Sequence, residues 1–186
     1  MKKASPSKLL GLKTPIYLSK AIIFALTTCL IFTSCGSREE KMVAPEGMNV
    51  LDLNRYGKPF AIFVPDTSAA KLNVTEQPSG ALDIKVGKNF AVSIYEQAAD
   101  LAQRKTDLKE DEVNKLTSII TEEPAALMWE SSITSPEFHF VVNHKIGNSE
   151  YSFEDIRNPE VASFGKEAVK KMFESCKTIK EVHINK

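Results

Sequence analysis

The chain has 186 residues, 42% of them hydrophobic and 26% charged, with three cysteines, nine prolines, eight glycines and zero formal net charge. Its length suits one ordinary domain with an extra segment. Low glycine and proline exclude a collagen-like or low-complexity chain, three cysteines exclude a disulfide-stapled miniprotein, and a mean hydropathy of -0.19 excludes a multi-span membrane protein. The neutral total conceals an asymmetry. Residues 1–34 carry five lysines (Lys2, Lys3, Lys8, Lys13 and Lys20) and no acid, which leaves the other 152 residues with a net charge of −5.

Ala21 to Phe32 is a stretch of twelve uncharged, largely apolar residues. A helix needs about twenty to cross the hydrocarbon core. Twelve suits the apolar region of a signal peptide, and the lysine-rich flank suits its basic region. Thr33, Ser34, Cys35 and Gly36 follow.

On these residues the chain resembles a bacterial lipoprotein precursor, whose lipobox ends in a small residue and a cysteine. Ser34 suits the position before the cysteine and Thr33 is tolerated, whereas Phe32 departs from the usual aliphatic residue. The resemblance implies lipid attachment at Cys35, which becomes the first residue after removal of 1–34. Cys29 suits the pattern less well, because Thr28 is larger than normal there and Leu30 to Phe32 would remain as an apolar stub. A plain secretory signal or an uncleaved anchor is the competing reading. Ser37-Arg38-Glu39-Glu40 is similar to the acidic export signal of Bacteroidetes-type surface lipoproteins, and also to a solvated spacer. Ser37 is not the aspartate associated with inner-membrane retention, which points to the outer membrane. Residues 35–47 form an acidic tether, with Pro45 and Gly47 marking its end, and 48–186 form a single domain.

Beyond the tether the period is two. Phe60, Ile62 and Val64 alternate between Pro59 and Pro65, a strand suited to a sheet edge. Leu72 and Val74 mark a second strand and Gln77 to Gly80 a turn. Leu82, Ile84 and Val86 form the next strand, and Gly87-Lys88 turns it into Phe90, Val92 and Ile94. Residues 96–115 change to a helical period, with Ala98, Leu101, Ala102 and Leu108 on one stripe. Ser118 to Thr121 is extended, and a strand around Leu127–Ser131 follows Pro124.

Gly147-Asn148 lies between alternating runs and predicts a two-residue hairpin loop. That register sets Val142 opposite Phe153, His144 opposite Tyr151 and Lys145 opposite Glu150. One face collects Phe138, Phe140, Val142, Ile146, Tyr151 and Phe153. Glu137, His139, Asn143, Lys145, Glu150 and Glu154 collect on the other, predicted to be solvated. Asn158-Pro159 has the character of a helix start. Ala168, Val169, Met172, Phe173, Cys176 and Ile179 form a closing helical stripe, with Gly165 unfavourable in its first turns.

The class is therefore α+β: an antiparallel sheet of about six to eight short strands packed by two or more helices, one of them C-terminal. The opening LDLNRYGKPFAIFVP, the inserted helix, the YSFEDI strand and the ending AVKKMFESCKTIK resemble PsbP-like α/β/α-sandwich domains. That resemblance implies a binding or assembly module, since such domains generally lack catalytic residues.

Few residues suggest chemistry. Cys176 lies on the apolar stripe, as a buried structural thiol would, and no C-x-x-C is present. His139 and His144 are five apart on one strand and so face opposite ways. His144 shares its face with aromatics, and His183 sits near the C-terminus. Glu137, His139 and Glu154 could together offer mixed nitrogen and oxygen donors, although a solvated polar face is the simpler reading. Asp107, Glu110, Asp111 and Glu112 lack the spacing and glycine of an EF-hand and suit a helix end. Trp129 suits a core or rim position. No phosphate loop, G-x-S-x-G, H-E-x-x-H or dinucleotide fingerprint occurs, and the net charge of −5 disfavours nucleic acid.

The sequence thus predicts a lipid-anchored, non-enzymatic envelope lipoprotein at the outer membrane, attached through acylated Cys35. Its expected partner is another envelope protein, with no nucleic acid, cofactor, catalytic residue or metal site. An envelope hydrolase or metal-dependent enzyme using the polar sheet face, and a soluble secreted binding protein, are the alternatives.

Overall fold

A computed structural model describes residues 42–156 and 163–182. In chain order these form β1 (Met48–Asp52), a 3-10 turn (Asn54–Tyr56), β2 (Phe60–Pro65), β3 (Leu72–Glu76), β4 (Leu82–Val86) and β5 (Phe90–Tyr95). Helix α1 (Leu101–Glu110) follows, then β6 (Lys115–Glu123), β7 (Ala126–Ser132), β8 (Pro136–Ile146), β9 (Ser149–Asp155), α2 (Lys166–Lys177) and β10 (Lys180–Glu181). The domain is α+β. Its ten described strands form two antiparallel sheets, one ordered β1-β2-β10 and the other β3-β4-β5-β9-β8-β7-β6.

The strands form where apolar residues alternate and turn residues intervene. Gly80 N donates to Gln77 O at 2.8 Å in the first predicted turn. The β8–β9 ladder has the predicted register, with Val142 opposite Phe153, His144 opposite Tyr151 and Lys145 opposite Glu150.

β2 differs from expectation. It is the central strand of its sheet, between β1 and β10, and Phe60 to Val64 are all buried. Its flanking prolines mark the strand's ends rather than a sheet edge: Pro65 pairs with Met48, and the Pro59 carbonyl accepts from Val182 N at 3.0 Å.

The main core lies between one face of the large sheet and a layer made of the small sheet and α2. Phe60 meets Tyr151 and Phe153 edge-on, at centroid distances of 5.0 and 5.7 Å, and Phe140 meets Phe173 at 6.1 Å. Val169, Met172, Phe173 and Cys176 of α2 are buried there, as their spacing predicts. Gly165 is the residue before α2, where an interior penalty does not apply. The predicted start at Asn158-Pro159 lies outside the described residues.

Helix α1 spans ten residues, not the predicted twenty. Asp100 caps its start, its carboxylate accepting from Ala102 N at 3.0 Å and Gln103 N at 2.9 Å. At the other end Asp111 accepts from Val113 N and Asn114 N, a local turn that competes with further helix. Leu108 packs on Leu127, Trp129 and Val141, forming a second, smaller core on the opposite face of the large sheet. Residues 126–129 of β7 and 139–142 of β8 are therefore buried on both faces.

Candidate functional site

Cys35, Cys29 and the Ser37–Glu40 stretch lie outside the described residues, as does His183. Met48 N donates to Pro45 O at 3.0 Å, and that turn leads directly into β1. No helix among the described residues is long and apolar enough to cross a membrane.

The predicted polar face of β8 and β9 is only partly solvated. Lys145 and Glu150 are exposed, and with Glu96, Gln97, Ala98 and Asn148 they line a wide-mouthed depression of about 580 Å³. Lys58 Nζ lies 2.9 Å from Glu96 Oε2, and its hydrogen bond and charge hold that carboxyl below the usual range. Asn143 has a structural task. Its Nδ2 donates to Ala99 O at 2.8 Å and its Oδ1 accepts from Ala99 N at 2.9 Å, which fastens the segment ahead of α1 to the sheet.

Nearer the start of β8 the same face is buried, because Trp129 and Val141 sit beneath α1. His139 is 6% exposed, with its ring 5.6 Å from the Trp129 ring. His139 Nδ1 lies 2.8 Å from Asp155 Oδ2, while Asp155 Oδ1 accepts from Phe140 N at 2.8 Å. Glu137 Oε2 lies 3.6 Å from His139 Nε2, beyond hydrogen-bond range. The cross-strand neighbour of Glu137 is Ser131, which is fully buried.

Glu154, the third residue of the predicted donor set, is drawn away from His139. Arg104 of α1 donates to both its oxygens, at 2.9 and 3.2 Å, and lies 6.0 Å over the Trp129 ring. Asp155 stands beside the histidine instead. Extending the hairpin register by one pair sets Asp155 opposite Phe140, on the apolar face by alternation, so the sequence pattern pointed to Glu154 and not to Asp155 as the neighbour of His139. Arg104 could not have been found this way, because only the docking of α1 brings it to β9. Among the described residues, no group of three His, Cys, Asp or Glu side chains is disposed to hold a metal ion.

The other candidates take structural positions. Cys176 is a fully buried free thiol, and burial pushes its pKa far up, so it is not a ready thiolate. His144 Nε2 donates to the Cys176 carbonyl, and the His144 ring meets Phe153 edge-on at 5.6 Å. Trp129 is fully buried in the smaller core. In the acidic run, Asp107 accepts from Gln103 Nε2 at 2.7 Å and Asp111 closes α1.

The fold is thus an α+β domain of one seven-stranded and one three-stranded antiparallel sheet, with a buried histidine–carboxylate pair beside α1. Compared with known proteins, the chain matches no protein-family model, no curated protein and no solved structure.

Proposed function

We propose that the chain is a lipid-anchored protein of the bacterial envelope, held at the outer membrane through acylated Cys35. In this reading its domain is a non-enzymatic module that binds or assembles with another envelope component. The observation that carries it is the five-lysine stretch and twelve-residue apolar segment followed at once by Thr33-Ser34-Cys35. One fatty chain holds a protein only marginally, whereas two or more give stable anchoring at roughly 0.8 kcal/mol per buried methylene. An acylated Cys35 would therefore hold the protein without help from the domain. The resemblance to PsbP-like domains read from the sequence, in its predicted element order and apolar spacing, supports a binding role by analogy alone.

Metabolic labelling with a radioactive fatty acid tests the anchor. The wild-type chain takes up label and fractionates with the outer membrane, and Cys35→Ala abolishes both labelling and processing. Undiminished labelling of Cys35→Ala would remove the reading. Protease shaving of intact cells, with a periplasmic control, then decides which way the domain faces.

A further inference from the structure

We propose that Glu137 and His139 bind a divalent transition-metal cation of the zinc class at the Pro136 end of β8. The proposal does not depend on acylation. It begins with the two nitrogens of one ring. Asp155 accepts the Nδ1 proton of His139 and is itself held by Phe140 N. Nε2 is then the ring's remaining ligating atom, and it is buried without a hydrogen-bond partner. A carboxylate behind the ring is the usual way of orienting a metal-ligating histidine and raising its basicity.

The second donor is correctly spaced. Two ligand atoms about 2.0–2.1 Å from one zinc ion, at a tetrahedral angle, lie about 3.4 Å apart. His139 Nε2 and Glu137 Oε2 are 3.6 Å apart, too far for a hydrogen bond and within a few tenths of an ångström of that separation. Ser131 Oγ, across the ladder from Glu137, is also buried without a hydrogen-bond partner and adds a neutral oxygen on the same face. The Glu137 side chain is 28% exposed, which gives the ion a route in and lets water complete the coordination. Imidazole with carboxylate suits zinc and its neighbours better than calcium or magnesium, which take oxygen. Glu154 is no ligand, because Arg104 holds both its oxygens.

The test uses the full chain in non-ionic detergent, stripped with a chelator and titrated with zinc chloride by calorimetry. Wild type takes up one zinc per chain, and His139→Ala and Glu137→Gln lose it. Asp155→Asn weakens uptake by about 10–100-fold, and Glu154→Gln leaves it unchanged. Because His139 and Asp155 are buried, Glu137→Gln is the deciding variant. Without zinc it unfolds at the wild-type temperature, and it loses the rise that zinc confers on wild type. No saturable uptake by wild type, or equal uptake by Glu137→Gln, would overturn the proposal.

Discussion

His144 Nε2 lies 2.7 Å from the carbonyl oxygen of Cys176, tying the β8–β9 hairpin to the last turn of α2. The last four carbonyls of a helix have no partner within it. Two of those in α2 are satisfied by side chains, Cys176 O by His144 and Glu174 O by Thr178 Oγ1 at 2.9 Å. The histidine thus closes the helix that completes the main core.

Burial of the His144 ring makes stability depend on pH. Burial lowers the His144 pKa, and the hydrogen bond to the Cys176 carbonyl opposes that shift without cancelling it. Above the ordinary histidine value of about 6.5 the ring is neutral in both folded and unfolded chains, and its full contribution is present. As pH falls below that value the unfolded chain takes up the proton first, so the contribution declines until the folded ring is protonated too. The urea midpoint of wild type relative to His144→Gln therefore decreases between pH 7.5 and pH 5. Parallel profiles for the two proteins would show that His144 does not carry this dependence.

Phe60 joins the two sheets through its contacts with Tyr151 and Phe153. Phe60→Ala removes a fully buried ring and leaves a cavity between layers, a loss of about 3–5 kcal/mol. Val50 lies in the same small sheet on the edge strand β1 and is 40% exposed, so Val50→Ala changes stability by less than about 0.5 kcal/mol. Equilibrium denaturation measures both. Similar values for the two would contradict the placement of the core between the sheets.

Gly147 has φ +58° in the β8–β9 loop, and nothing lies within 4 Å of where its Cβ would be. The penalty for Gly147→Ala is therefore conformational rather than steric crowding, about 1–2 kcal/mol. Asparagine tolerates this region better, so Gly147→Asn costs less than Gly147→Ala. Thermal melts of the two variants give the order, and the reverse order would rule out the left-handed loop.

The hairpin shows how far local pattern reaches. Gly147-Asn148 and the alternation around it set every pair from Val141–Glu154 to Ile146–Ser149, because a one-residue slip would carry Phe140, Val142 and Phe153 out of the core. The same alternation makes His139 and Asn143 look solvated. It records which residues share a face but not what lies over that face. Helix α1 covers part of it through Leu108, and the segment ahead of α1 covers more through the Asn143–Ala99 hydrogen bonds, which link residues 44 apart in sequence. Likewise, alternation in Phe60–Val64 shows a strand without showing its two neighbours, and β10, only two residues long, carries no periodicity to find.

By itself the sequence determined the apolar segment ending before Cys35, the α+β class, the hairpin register and the inward stripe of α2. These follow from steric and hydrophobic preferences acting over a few residues. Tertiary structure alone decided the division into two sheets, the central place of β2 and the second core beneath α1. It also decided that Asp155 faces His139 while Arg104 takes Glu154. Those contacts join residues far apart in the chain, and their partners are set by packing and charge pairing that emerge only when the layers close.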